Sequence, residues 1–347
     1  MPTCISILSD QLIPNVLFIK QMTHAGDNHI FLTTKKMEGD KKSEILAQTL
    51  QLPAINYKVI EIDANSPTLI LNVLDSYEWP EGVCIVNITG GTKMMSQMVY
   101  LHFSEKEKTK IFYWPIGGKA IELLHPTIEA YPILHPVFLD LATYFKAHGY
   151  TYTSQTQLTK PFNMAQSLFT ETVVGGSAGM VPSIMQAKEV FSDTDERVYY
   201  SGSWFEEWLF TFLKKELNLN EYAIGLNLKL KNIHSIRNTE SDNEIDVAFV
   251  YKNRLYIWEC KVYNQIGDRS KKIADPVYKI SSISQSLGLQ ATSFVAILAA
   301  FGESQARKDF LKDITRVTRI TKVFSMEDMA DTNLFIIQVK KMIDYGT

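Results

Sequence analysis

Cysteine is scarce in these 347 residues: Cys4, Cys84 and Cys260 are the whole complement. Each sits in an apolar, strand-like run, where a thiol behaves as a small hydrophobe. Three scattered cysteines offer neither a zinc spacing nor a disulfide framework, which suits a reducing compartment. Long hydrophobic runs are missing too. The longest, Phe294–Phe301, is far too short to span a bilayer. The opening Met-Pro-Thr-Cys-Ile-Ser-Ile has no basic n-region and no long apolar h-region, so no secretory signal is expected. These absences predict a cytoplasmic protein with no membrane partner. Strong net charge is also lacking. At −3 overall, no global field announces a polyanionic partner. No internal repeat, low-complexity tract, G-x-G-x-x-G or G-x-x-x-x-G-K-[ST] run is present.

What is there is an ordinary globular composition, 46% hydrophobic and 21% charged. The length calls for two or three domains. Over the first 125 residues, short apolar runs alternate with helical patterns. Strands are predicted at Cys4–Leu8, His29–Thr34, Tyr57–Ile62, Val83–Thr89 and Ile111–Ile116. Helices are predicted around Pro14–Met22, Ser43–Gln51, Pro67–Tyr77 and Thr92–Phe103. That βαβα order argues for a doubly wound, mostly parallel sheet, whose ligands bind beyond the carboxyl ends of the strands.

Two loops lie at such ends. The first is Ser9-Asp10-Gln11-Leu12-Ile13-Pro14-Asn15, and the second is Asn87-Ile88-Thr89-Gly90-Gly91-Thr92-Lys93. Paired glycines let backbone approach a ligand closely, and the helix that follows presents unpaired N–H groups. Thr89, Thr92 and Lys93 add hydroxyls and a cation. Two readings stand side by side: an anion cradle, and a tight strand-to-helix turn that simply needs glycines.

The most informative stretch lies later, Asn243–Lys261, NEIDVAFVYKNRLYIWECK. Two β-branched and aromatic runs flank Tyr251-Lys252-Asn253-Arg254, the pattern of a hairpin. Strand alternation puts Glu259 and Lys261 on the face of Leu255 and Ile257, with Tyr256, Trp258 and Cys260 opposite. Buried carboxylates without a partner are costly. A Mn²⁺ or Mg²⁺ ion held by Asp246, Glu259 and the Cys260 carbonyl would offset that cost, with Lys261 beside it to orient a water. The bland alternative is a partly exposed ion pair. Upstream, Gly202–Leu209 opens an amphipathic helix with Ser203 as its expected N-cap. Downstream, Asp275–Leu287 reads as another helix after the basic loop Arg269-Ser270-Lys271-Lys272.

Two resemblances follow. The G-x-x-F-E, E-I-D-V and W-E-C-K segments, in that order, resemble the PD-(D/E)xK nuclease core. The N-I-T-G-G-T-K-M-M-S and S-D-Q-x-x-P-N-V-x-F-I-K runs resemble the CARF domains of CRISPR-associated proteins, which sense cyclic oligoadenylates. A CARF domain joined to that core resembles the CRISPR ancillary nucleases of type III systems. The resemblance implies a Rossmann-like CARF domain at 1–125 and a restriction-endonuclease-like domain at 202–347; between them, at 126–201, an expected helix, short strand and helix would suit a small winged-helix-like connector. It implies a homodimer binding a cyclic oligoadenylate, the tetra-adenylate first, as allosteric activator through Ser9, Asp10, Gln11, Asn15, Thr89, Gly90, Gly91, Thr92 and Lys93. Its substrate would be single-stranded RNA or DNA or nicked duplex. Spacing leaves Glu206 and Glu207 equal; the G-x-x-F-E match selects Glu206 as a catalytic helper. Rivals are a nucleic-acid-binding regulator with an inactive nuclease fold and a ring nuclease that degrades the cyclic oligoadenylate.

The remaining expectations are coarser. Helix is expected over Pro136–His148 and Pro182–Phe191, strand over Tyr150–Leu158 and loop over Phe169–Gly179. Beyond the hairpin come strand Phe294–Ala300, helix Ser304–Leu311, strand Arg316–Val323 and helix Met326–Met342. Residues 203–347 carry 20 Lys+Arg against 18 Asp+Glu, leaving 15 against 20 before them. That tilt permits a polyanion near the hairpin.

Overall fold

The computed structural model describes residues 1–115, 120–133, 136–175, 194–233, 244–263, 271–289, 291–299, 305–318, 320 and 322–344. They fall into two compact units. One holds residues 1–138 and 146–149, the other 139–145 and 150–346. No described helix is long and apolar enough to cross a membrane.

The first unit is organised by a seven-stranded sheet. Strands β1 (Thr3–Ile7), β2 (Asn28–Thr33), β3 (Tyr57–Glu61), β4 (Cys84–Asn87) and β5 (Thr109–Tyr113) run parallel. Strands β6 (Ile121–His125) and β7 (Glu129–Tyr131) follow antiparallel, giving the order β3-β2-β1-β4-β5-β6-β7. The five residues of β1 are all buried, the signature of a parallel strand covered on both faces. Helices α1 (Ile13–Met22), α2 (Lys35–Gly39), α3 (Lys42–Leu50), α4 (Pro67–Ser76) and α5 (Lys93–Ser104) fill the crossovers. Their starts are written locally. Ser66 caps α4 by accepting from the Leu69 N–H at 3.4 Å, with Pro67 in the first turn. The chain leaves β1 for one side of the sheet and enters β4 on the other. The switch point therefore lies between β1 and β4, where the polar Ser9–Asn15 loop and the glycine-bearing Asn87–Lys93 loop emerge.

The second unit carries a six-stranded sheet, β13-β12-β11-β10-β9-β8. Its strands are β8 (Tyr150–Gln155), β9 (Ile224–Asn232), β10 (Glu244–Tyr251), β11 (Arg254–Val262), β12 (Ala291–Leu298) and β13 (Lys322–Phe324). The predicted hairpin is there: β10 and β11 pair antiparallel, Val247 opposite Trp258 and Tyr251 opposite Arg254. Lys252 and Asn253 both take positive φ, 49° and 63°, the backbone of a two-residue turn matched to strand twist. Strand β11 then pairs parallel with β12, and β12 with β13. Helix α6 (Leu141–Ala147) precedes β8, and helices α7 (Phe162–Gly175) and α8 (Thr194–Val198) come before a π-turn at Tyr199–Ser203. The chain continues into α9 (Trp204–Glu216), then α10 (Lys271–Ser286), α11 (Gln305–Thr318), α12 (Met326–Ala330) and α13 (Thr332–Asp344). The core is aromatic: Trp208, Trp258, Phe294, Phe324 and Phe335 form one cluster.

Several expectations change in detail. Strand β7, beyond residue 125, belongs to the first sheet, and β8, inside the expected connector, is the edge of the second. Phe169–Val174, expected in a loop, is helical because its apolar side packs on α9, with Phe169 stacked 3.6 Å from Trp208. The expected helix at Pro182–Phe191 lies outside the described residues. Ser203 caps nothing; it sits in helical backbone because the π-turn feeds straight into α9. Lys271 and Lys272 belong to the first turn of α10, rather than to a loop. Arg316 lies in α11, which runs past Leu311; of the expected strand Arg316–Val323, the extended part among the described residues is Lys322–Val323, in a strand that ends at Phe324.

Candidate active site and ligand loops

The hairpin places two acids side by side. Asp246 on β10 is 5% exposed and Glu259 on β11 is 0% exposed. Alternation holds as the sequence implies: Tyr256, Trp258 and Cys260 enter the aromatic core, while Glu259 and Lys261 turn together to the other face. The Lys261 Nζ lies 2.6 Å from Glu259 Oε1 and 3.4 Å from Asp246 Oδ2. It also donates to the Cys260 carbonyl at 2.8 Å. The Cys260 N–H donates to Asp246 Oδ2 at 2.6 Å, locking that carboxylate against the neighbouring strand.

Electrostatics single out the cluster. Burial, then the charge of Asp246, raises the Glu259 pKa, with Lys261 and Lys279 opposing. Burial, and again Asp246, pushes Glu206 up to about 8, with Lys261 and a hydrogen bond from Asn227 opposing. Burial alone would disfavour a charged Lys261, but Asp246 and Glu259 more than reverse it and hold its pKa above the ordinary lysine value. Three acids thus crowd one place, a condition that positive charge relieves.

Glu206 and Glu207 are consecutive on α9 and part company. Glu206 turns toward Asp246, Lys261 and Glu244. Glu207, 1% exposed, turns away and accepts from the Thr159 N–H at 2.7 Å and Gln155 Nε2 at 3.0 Å. Gln155 Oε1 in turn accepts from Asn227 Nδ2 at 2.8 Å. A polar relay on β8 and β9 therefore links the two glutamates.

Among the described residues no three His, Cys, Asp or Glu side chains are arranged as a ready-made ion cage. Instead Glu259 Oε1, Asp246 Oδ2 and the Cys260 carbonyl converge on the Lys261 ammonium. These are the three oxygens nominated by sequence as ligands, and they already surround a cation. Hard oxygen donors without a nitrogen or thiolate ligand suit Mn²⁺ or Mg²⁺. By that test the donor set fits.

Sequence reasoning put Lys279 on the Asp275–Leu287 helix but gave it no role in the site. It reaches from α10 to Glu259, Nζ to Oε2 2.7 Å and to Oε1 3.0 Å. Its signal was a lysine on a helix whose inward residues, Ile273, Val277, Ile280 and Ile283, are otherwise apolar and buried.

In the first unit the two switch-point loops interlock. Gly91 has φ +77°, and a Cβ on it would run into the Ile7 side chain; one on Gly90 would run into the Ile7 carbonyl. Both glycines are thus required by the close approach of the second loop to the end of β1. Asn15 is fully buried and donates from Nδ2 to the Ile7 carbonyl at 2.9 Å. Thr89 Oγ1 accepts from the Trp114 N–H at 2.9 Å. Thr92 caps α5, accepting from the Met95 N–H at 3.2 Å, and donates to the Ala64 carbonyl at 2.5 Å. Ser9 Oγ donates to the Gln11 carbonyl at 3.1 Å. These side chains build the loops. Asp10, Gly91, Thr92 and Lys93 are exposed on them, and Lys42 and Lys36 stand beside Asp10 at 3.0 and 3.6 Å. Those two lysines had no sequence signal beyond their position after β2.

The family model for the Card1 CARF domain matches residues 3–144, and that for the Card1-like endonuclease domain matches residues 193–312. No curated protein sequence matches the chain. Among solved structures, protein VC1899 from Vibrio cholerae superposes with a TM-score of 0.77 at 16% identity, over 98% of each chain. Can2 from Sulfobacillus thermosulfidooxidans, in complex with cyclic tetra-adenylate, superposes at 0.73 and 18%, over 97% of this chain and 98% of that one. A type III CRISPR defence DNA nuclease activated by cyclic oligoadenylate reaches 0.53 and 14%, over 85% of this chain and 45% of that one. Identities this low show a shared fold. The two matched regions, in the order of the two sheets, identify this chain as a Card1-type CARF domain joined to a Card1-like endonuclease domain.

Proposed function

We propose that the chain is a cyclic-oligoadenylate-activated, divalent-metal-dependent endonuclease that cleaves RNA or DNA as a homodimer. The observation that carries the reading is the Lys261 ammonium enclosed by Glu259, Asp246 and the Cys260 carbonyl. Buried acids on paired strands, pressed together with a third on α9, belong to a site built for cations and phosphates. Bound there, Mn²⁺ or Mg²⁺ would polarise the phosphoryl oxygen and stabilise the departing oxygen. Asp246 and Glu259 would hold the ion, and the Cys260 N–H keeps Asp246 aimed. Lys261 stays protonated and orients the attacking water against the phosphate. Glu206, its pKa raised by burial and by Asp246 in the ion-free site, faces the same place from its helix.

For the activator, the support is the CARF match and the likeness to Can2, which was solved with cyclic tetra-adenylate. The Gly90–Gly91 backbone, the start of α5 and Lys93 offer N–H groups and a cation to a polyanionic ring. A ring of near-twofold symmetry suits an isologous pair of such loops. The deciding experiment incubates the protein with cyclic tetra-adenylate, Mn²⁺ and end-labelled single-stranded RNA and DNA. Cleavage should need both ring and ion. Full cleavage in excess EDTA, or equal cleavage without any ring, overturns the reading.

A further inference from the structure

The nuclease reading leaves one charge of the site unused, the Lys279 ammonium on α10. There the two carboxylates of Asp246 and Glu259 meet the two ammoniums of Lys261 and Lys279, with Glu206 a third acid beside them. A divalent cation adds two positive charges to that cluster, so the ammoniums must give way. Lys261 sits among the three oxygens the ion would use and must shift off them. Among the described residues Lys279 pairs with Glu259, spanning both its oxygens. Once Glu259 serves an ion, that bidentate contact is lost, and the one acid on the same helix, Asp275 a turn back, is itself exposed. The Lys279 side chain is 35% exposed and Glu259 only 1%, so the freed ammonium has one open direction, outward. A polyanion arriving there is the partner a lysine point charge takes up.

We propose that Lys279 is a second phosphate-facing lysine of the active site. It is parked on Glu259 while the site is ion-free and passed to the substrate when a divalent cation takes that carboxylate. The proposal rests on the metal-dependent nuclease reading. A purely structural counter-ion would behave otherwise, since its removal would leave Glu259 less well oriented and weaken ion binding.

The test uses the full-length protein. Mn²⁺ binding is measured by calorimetry for wild type, Lys279→Met and Lys279→Arg. Binding of a single-stranded DNA oligonucleotide is then measured against salt concentration, with and without Ca²⁺. Removing the competing charge should tighten Mn²⁺ binding by about tenfold, the scale on which neighbours of a ligand act. In Ca²⁺, Lys279→Met should lower the salt slope of oligonucleotide binding by about 0.7, one phosphate contact on a single strand. Without Ca²⁺ the slope should match wild type, and Lys279→Arg should keep the wild-type slope throughout. Unchanged or weaker Mn²⁺ binding in Lys279→Met, or an unchanged slope in Ca²⁺, overturns this proposal while leaving the nuclease reading intact. If Lys279→Met and Lys279→Gln both fail to fold while Lys279→Arg folds, the residue is a structural counter-ion and the proposal is overturned. A wild-type protein that binds no Mn²⁺, or an Asp246→Asn variant that binds it equally well, removes the nuclease reading and this proposal with it.

Discussion

The two sheets carry two sites made in opposite ways. At the switch point of the first, the candidate ligand loops are held by their own side chains: Asn15, Thr89 and Thr92 all have partners inside the unit. What those loops expose is Asp10, Gly91, Thr92 and Lys93. On the second sheet the acids are buried and press on one another, raising Glu206 and Glu259. The first site is finished and waits for a shape. The second is under electrostatic load and waits for charge. A recognition site gains from being preorganised, whereas a catalytic site gains from groups whose ionisation depends on what arrives.

That contrast can be broken most sharply at the acids. Asp246→Asn or Glu259→Gln should cut nucleic-acid cleavage by more than about 100-fold, because losing a ligand exceeds the usual cost of losing its neighbour. Ring binding by calorimetry should be untouched. Near-wild-type cleavage in either variant would dissolve the loaded-site half of the comparison. Lys261→Ala should slow turnover by roughly 10²-fold or more, the scale of a lost proton-positioning group. Its Mn²⁺ affinity, read by calorimetry, should hold or tighten.

The preorganised site should fail sterically. Gly90→Val forces a Cβ into the Ile7 carbonyl, and overpacking of this kind costs about 1–3 kcal/mol. Thermal unfolding should show the loss, together with loss of ring binding, while Mn²⁺ binding at the acids persists in whatever fraction stays folded. Lys93→Ala is gentler. It removes one exposed cation and should weaken ring binding by about tenfold, a charge-assisted contact of roughly 1.5 kcal/mol. Cleavage should recover at saturating ring.

The smallest effect separates the units by pH. Burial lowers the pKa of His29, against the pull of Asp27, and burial also lowers that of His102. Both lie in the first unit. Their folded-state values fall below the unfolded value, so the unfolded chain binds more protons in acid. Stability from these groups is therefore lost as pH falls through the unfolded value of about 6.5. Differential scanning calorimetry at pH 7.5 and 5.5 should show the melting temperature dropping, and dropping less in His29→Leu. Identical drops in both proteins would remove His29 from the account.

Much of this was legible in the sequence, for reasons of range. Strand alternation has a period of two, so Glu259 and Lys261 had to share a face once β11 was recognised. The Lys252–Asn253 turn fixed the partner strand, which set Asp246 beside them. Parallel strands buried on both faces read as plain apolar runs, so the βαβα succession of the first sheet was visible too, though not the order in which its strands lie. Tertiary structure alone decided the rest. Glu206 and Glu207 differ by one helical step of about 100°, and only the docking of α9 on β9–β11 shows which one meets Asp246. Asn15, Thr89 and Thr92 look like ligand groups in sequence, and only the structure shows that each also has a hydrogen-bond partner within the unit. Lys279 lies 20 residues from Glu259, across a crossover whose length carries no angle. A local repeat fixes which residues face the same way; which surfaces meet is settled only by how helices pack on sheets, because that depends on the shape of the whole core.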